Sequence, residues 1–274
     1  MINELLEKYN RLKSILSEYG SVVIAFSGGV DSTFLLKAAH DVLGDRCMAV
    51  TVNVPAFPKR EKNSAEEFCH REGIIYKEIE VKQLDIPGFT DNPVDRCYIC
   101  KKGLFMKIME VMAEEGMNFV AEGSNMDDMG DYRPGMKAIE ELKVKSPLRE
   151  AELSKAEIRE LSRELGLPTW SKPSLACLAT RIPYGEIITE EKLSMIDRAE
   201  QFLVDKGFEQ VRVRLHEVGD KSLARIEVTS DSINRLIDIR EEVDSIFREI
   251  GFVFVTMDIR GYRTGAMNEI INYF

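Results

Sequence analysis

Residues 22–32 read VVIAFSGGVDS, an apolar run cut short by two glycines and resumed as a helix. Consecutive apolar residues rich in β-branched types fit a strand buried on both faces, the condition of a parallel sheet covered by helices. Gly28 and Gly29 let the chain turn tightly and let a ligand approach the backbone with no Cβ in the way. A helix read from about residue 31 then points its first N–H groups into the turn, and its dipole favours an anion there. Ser27 and Ser32 add hydroxyl donors, and Asp31 can hold a magnesium ion or cap the helix. The Walker pattern G-x-x-x-x-G-K-[ST] is absent, so this is not that kind of phosphate loop.

The rest of the first two thirds repeats the same alternation. Strands are expected at 47–54, 74–81 and 118–122, with a short extended piece at 143–148. Helices are expected at 59–72 and 101–116. A further helix opens at the Ser154–Glu157 capping box and stops at Gly166. Strand–helix alternation of this kind predicts an α/β fold with a doubly wound parallel sheet. The stretch 169–186 has no clean period and reads as a long functional loop or a linker. Beyond it the pattern is helix 190–206, strand 209–215, strand 223–229, helix 231–250 and strand 252–259, a small α+β unit. The expected division is therefore 1–184 and 185–274.

The chain has 274 residues, enough to bury a core without disulfides, and a net charge of −10. That charge argues against binding nucleic acid or anionic membrane, while leaving room for a local basic pocket. No apolar run reaches the ~18 residues of a membrane helix. The first residues show helical spacing rather than a signal peptide, so the expected location is cytoplasmic. In a reducing compartment the five cysteines read as thiols or metal ligands. Cys97 and Cys100 form a C-x-x-C between an irregular segment and a helix. This spacing suits a redox pair, half a zinc site, part of an iron–sulfur site or chance, and no second C-x-x-C completes a zinc ribbon. Cys177 sits alone in the irregular loop, whereas Cys47 and Cys69 read as core residues. Arg212 and Arg214 alternate on a strand and so share a face, with Arg260 and Arg263 after the last strand. Such arginines form either an anion pocket or a solvated strand face.

SGGVDS is similar to the pyrophosphate-loop signature of the PP-loop ATP pyrophosphatase superfamily. The resemblance implies ATP cleavage between the α- and β-phosphates with adenylylation of the substrate. It implies adenine contacts at Asn53. Gly123, Ser124, Asn125 and Asp128 follow the fourth strand, at the carboxyl edge where ligands of open α/β sheets collect, and read either as nucleotide contacts or as a plain polar turn. SGGVDS, AEGSNMDD, ACLATRIPYG, RVRLH and DIRGYRTGAMNE together, in this order over most of the chain, resemble the LarE family of ATP-dependent sulfur transferases. That resemblance implies a PP-loop domain followed by a small α+β domain. It implies conversion of the carboxylates of a pyridinium dicarboxylate mononucleotide to thiocarboxylates, for the nickel-pincer cofactor of lactate racemase. Some members have only the cysteine matching Cys177 and give up its sulfur. Others have three, here Cys97, Cys100 and Cys177, and hold a [4Fe-4S] cluster. The implied cofactors are ATP, Mg²⁺ and that cluster. Arg181, Arg212, Arg214 and Arg260 are implied to hold the substrate, with Glu200 and Asp231 close by. Asp231 also fits the N-cap of its helix. The resemblance suggests a homo-oligomer and leaves the sulfur donor open. Two alternatives stand beside it: a cluster-dependent tRNA thiolase of the same superfamily, and an ATP-binding protein without turnover.

Overall fold

Strand β1 (Val22–Ala25) is buried along most of its length, and it organises the first part of the chain. The computed structural model of the protein describes residues 2–130, 134–173, 176–263 and 265–266. In it, β1 lies between β2 (Cys47–Asn53) and β4 (Phe119–Ala121), with β3 (Ile75–Glu80) outside β2; the order is β3-β2-β1-β4. All three pairings are parallel, with Val22 opposite Cys47 and Phe119. Side chains alternate between two cores. Val22, Ile24, Cys47 and Ala49 face helices α1 (Ile2–Tyr19), α2 (Val30–Leu43), α3 (Lys59–Glu72) and α7 (Lys155–Glu164). Val23, Met48 and Val50 face α4 (Arg96–Glu114) and α5 (Gly135–Glu141), where Phe105, Ile108, Val111 and Ile139 pack. Both faces are thus covered, as the apolar pattern of β1 requires. The single-turn helix α6 (Pro147–Glu150) follows Ser146.

The strand order reverses between β1 and β4. Ligands of open α/β sheets collect outside the carboxyl ends of the strands flanking such a reversal. SGGVDS leaves β1 there, and GSNMDD leaves β4 there.

The contacts divide the chain into two units. The second comprises Pro55–Pro58, Pro87–Val94 and Ala176–Phe274. Its sheet has the order β5-β6-β7, with β5 (Val211–Val218) antiparallel to β6 (Lys221–Val228) and β6 parallel to β7 (Phe252–Met257). Helices α8 (Glu190–Asp205), α9 (Ile233–Asp238) and α10 (Arg240–Ile250) accompany it, and Phe247 stacks against Phe202 and Phe252 in its core.

Several local expectations shift. The expected division at 184/185 moves to 175/176. Leu178 N–H donates to the Ala56 carbonyl at 2.9 Å, and the buried Asn92 amide donates to Pro183 O at 2.6 Å, tying 176–184 to the second unit. The C-x-x-C lies inside the first turn of α4, not before it, because Tyr98 N–H already donates to Asp95 O at 2.8 Å. The expected helix 231–250 is two helices broken at Ile239. Asp231 is not an N-cap; it lies in a 3₁₀ turn, Ser230–Ser232, and Ser232 precedes α9. Of the extended piece at 143–148, only Lys145 bridges, to Ala121, before Pro147 starts a helical turn. The Ser154 capping box forms as expected, with Glu157 accepting from Ser154 N–H at 2.8 Å.

Phe34 is fully enclosed beside Tyr9, with ring centres 5.7 Å apart. Phe34→Ala is expected to cost about 3–5 kcal/mol, against less than about 0.5 kcal/mol for Leu6→Ala on the exposed side of α1. Chemical denaturation followed by circular dichroism measures the difference.

Candidate functional site

The glycine loop has the conformation its residues suggest. Gly28 has φ +67°, and Gly29, extended, precedes α2. Thr33 N–H to Gly29 O, 3.0 Å, opens the helical ladder, so the N–H groups just before it are those a helix start directs at an anion. Ser27 and Ser32 hydroxyls meet at 3.0 Å and close the loop on itself. Asp31 does not cap the helix. Its carboxylate accepts from Asn125 Nδ2 at 3.2 Å and from Lys155 Nζ.

These contacts belong to a closed circuit. Asn125 Oδ1 accepts from Asp127 N–H at 2.9 Å, and Asp127 Oδ2 accepts from Lys155 N–H at 2.6 Å. Lys155 Nζ returns to Asp31. Asp128 caps the same turn by accepting from Asn125 N–H at 2.9 Å. Gly123 allows the closure: a Cβ there would lie 3.0 Å from Ser32 N and 3.2 Å from Asp31 Cβ. Lys172 Nζ donates to Gly28 O at 3.0 Å from the other direction. Asn53, half-buried, ends β2 on the same edge of the sheet.

Below the turn lies a buried carboxylate, Glu122, which lies within AEGSNMDD but to which the sequence alone assigns no role. Glu122 accepts from Ser124 Oγ and Ser146 Oγ, both at 2.7 Å, and from Ser124 N–H at 3.1 Å. Lys101 Nζ stands 3.9 Å away. Lys101 follows the C-x-x-C directly, so Glu122 links the β4 turn to the helix that carries the thiols. Cys97 is exposed and Cys100 half-buried; three residues apart in one helical turn, they share a face. Gln83 Nε2 donates to Cys100 Sγ at 3.0 Å. Cys47 and Cys69 are enclosed, and burial pushes both thiols up to about 12, which leaves them as inert core groups.

The second unit holds Cys177 at the head of a 3₁₀ turn, Leu178–Arg181. Arg181 is fully enclosed and forks onto Glu200, Nε to Oε1 at 2.8 Å and Nη2 to Oε2 at 3.0 Å. Its Nη1 donates to the carbonyls of Ala176 and Cys177 at 2.8 and 3.0 Å. Glu200 also accepts from Val213 N–H at 3.0 Å. Arg214 repeats the device: it forks onto the enclosed Glu227 at 3.0 and 2.8 Å and donates to Thr180 O at 2.9 Å. Both guanidinium groups brace the backbone around Cys177. Arg212 is buried on the same face, 5.2 Å from the Tyr262 ring centre. Burial first, and then neighbouring Arg181, pull its pKa down to about 10, so a cation persists there at neutral pH under electrostatic pressure. Arg260 and Asp231 are exposed. Burial alone would raise the Asp258 carboxyl, yet the Arg260 N–H and then Arg225 and Arg263 outweigh it and hold it below its usual range. Among the described residues, no group of three or more His, Cys, Asp or Glu side chains is gathered to hold a metal ion. The end of the DIRGYRTGAMNE segment lies outside the described residues.

A covered parallel sheet with a glycine loop after β1, closed at its switch point by the β4 turn, defines the PP-loop class of ATP-utilising α/β enzymes. The NAD synthase family pattern matches residues 4–91. An uncharacterised protein of Synechocystis sp. is 39% identical over 97% of this chain and 99% of its own. The pyridinium-3,5-bisthiocarboxylic acid mononucleotide synthase of Lactiplantibacillus plantarum is 34% identical over 97% of this chain and 96% of its own. A glutamine-hydrolysing GMP synthase polypeptide of Thermoplasma acidophilum is 32% identical over 72% of this chain and 68% of its own. The chain belongs to the LarE family, that of the Lactiplantibacillus synthase. No helix among the described residues is long and apolar enough to cross a membrane.

Two outcomes follow from the second unit. Arg181→Met strands the Glu200 charge and is expected to destabilise by about 3–5 kcal/mol. Pairing it with Glu200→Met should restore much of that in denaturant titrations, while the alkylation rate of Cys177 stays altered, since the braces on its carbonyl are gone. His216 Nε2 accepts from Arg225 Nε at 3.2 Å, and burial, then Arg225 and Arg214, lower its pKa. The unfolded chain therefore takes up this proton first. The contribution is complete above the ordinary value of 6.5 and is lost as pH falls from there to the lowered folded value. Melting temperatures between pH 7.5 and 5 should fall less steeply in His216→Gln than in the parent.

Proposed function

We propose that this protein is an ATP-dependent sulfur transferase. It converts the carboxylates of a pyridinium dicarboxylate mononucleotide to thiocarboxylates through acyl adenylates, in the service of a nickel-pincer cofactor. The observation that carries the reading is the similarity to the Lactiplantibacillus synthase over nearly the whole of both chains. The geometry of the glycine loop supports it. ATP sits with its phosphates at residues 27–32, its adenine towards Asn53, and its flank against Gly123, Ser124, Asn125 and Asp128. Asp31, which meets Lys155 here, would hold a magnesium ion that offsets phosphate charge. A substrate carboxylate oxygen bonds to the α-phosphorus, the bond to the bridging oxygen breaks, and pyrophosphate leaves with that electron pair.

Cys97, Cys100 and Cys177 fit an iron–sulfur cluster by donor chemistry. Soft thiols are the ligands such clusters take, two of them share a helical face, and an N–H donor already points at Cys100 Sγ. A [4Fe-4S] cluster on these three would leave an iron open to bind hydrosulfide, a soft nucleophile for an acyl carbon. Arg181, Glu200 and Arg214 fix the Cys177 backbone. Arg212 presents its strained cation to the substrate phosphate, with Arg260 and Asp231 at the exposed rim. The working form is a cytoplasmic homo-oligomer.

Anaerobically purified protein is expected to hold about four irons and matching sulfide per chain, and Cys97→Ala to lose them. Mg-ATP with the dicarboxylate mononucleotide should release pyrophosphate. Iron-free protein whose Cys177 loses the mass of one H₂S on turnover would replace the cluster with a sacrificial cysteine. Absence of pyrophosphate release would overturn the enzyme reading altogether.

A further inference from the structure

Two lysines that the motif does not contain converge on the glycine loop. Lys155 is the first residue of α7, and its ammonium meets the Asp31 carboxylate. Lys172 lies beyond the end of the same helix, and its ammonium meets Gly28 O at 3.0 Å. Helix α7 sets both. The capping box fixes its first turn, with Glu157 pinned in turn by Lys8 at 2.7 Å. One turn on, Arg159 donates to Trp170 O at 2.6 Å and to Lys172 O at 2.8 Å, which fixes the chain carrying Lys172. Neither lysine is a random surface charge. Each is half-enclosed, aimed at the loop and held by a rigid element that packs Ile158 and Leu161 into the core.

The chain is acidic overall, so two cations brought to one loop from 124 and 144 residues away imply a local demand for positive charge. A triphosphate carries far more negative charge than Asp31. Its arrival reverses the preference of the Lys155 ammonium and releases Asp31 for the divalent ion. We infer that Lys155 and Lys172 form a two-pronged clamp for the β- and γ-phosphates of ATP, and that Lys155 serves as the stand-in cation on Asp31 until nucleotide arrives. In the adenylylation step the electrons of the broken Pα–O bond stay on the departing pyrophosphate. The two ammonium groups neutralise that charge where it develops.

The inference rests on the proposed nucleotide site and deepens it, so the test separates the two. The fluorescence of Trp170, the chain's single tryptophan, two residues from Lys172, reports binding of ATP, inorganic pyrophosphate and AMP, each with Mg²⁺. Calorimetry checks the constants. Lys155→Met and Lys172→Met are each expected to weaken ATP and pyrophosphate about tenfold or more and AMP by less than about twofold, with a shallower dependence on salt. Lys155→Arg should retain much of the pyrophosphate affinity, which guards against a merely misfolded Lys155→Met. Unchanged pyrophosphate affinity in both methionine variants would overturn the clamp while leaving the nucleotide site standing. Equal losses for AMP and pyrophosphate would also overturn it, by making the lysines structural. A parent protein that binds neither ATP nor pyrophosphate would sink the nucleotide site itself.

Discussion

One carboxylate, that of Asp31, holds the carboxyl edge of the sheet of the first unit together. It sits in the first turn of α2 and draws in Asn125 from the β4 turn and Lys155 from the start of α7. Three segments far apart in sequence are closed into one ring of hydrogen bonds by this group. A charged acceptor gives the stronger kind of hydrogen bond, and the half-buried setting protects it from water. The parallel sheet makes the ring possible. Only a strand order that reverses beside β1 brings the exits of β1 and β4 side by side. Gly123 completes the fit, because a larger residue would push the two exits apart.

The second unit uses charge differently. Its two enclosed arginine–glutamate forks, Arg181 with Glu200 and Arg214 with Glu227, are costly to desolvate and return little net stability. What they do supply is position. Both arginines reach past their carboxylates to carbonyls of the turn that bears Cys177, and rigid planar donors of that kind fix backbone well. Arg212, set among them, keeps its charge in a setting that penalises it.

Much of this is legible from residues alone. The apolar run of β1, its glycine break and the Ser154–Glu157 box are local signals, and each forms where its chemistry requires. The C-x-x-C reads as lying ahead of its helix because Cys97, Tyr98, Ile99 and Cys100 are all of low helix propensity. Tertiary packing of Phe105, Ile108 and Val111 against the sheet stabilises α4, and hydrogen bonding begins the helix at Arg96. The substrate contacts expected of the arginines come from the family resemblance, whereas the enclosure of Arg181 and Arg214 has no signal in the sequence, since arginine is seldom enclosed. No sequence pattern announces that Glu200 and Glu227 will be buried opposite them. Lys155 carries no local signal for the same reason: its partner Asp31 lies 124 residues away along the chain.

The sequence by itself determined the alternation of elements, the glycine break after β1 and the capping box of α7. These depend on periodicity and on neighbours a few residues away, which covalent order fixes. Tertiary structure alone decided which charges act together. Whether a lysine meets an aspartate or a loop carbonyl depends here on contacts between segments 124 and 144 residues apart, and on burial that turns a weak surface attraction into a directional constraint.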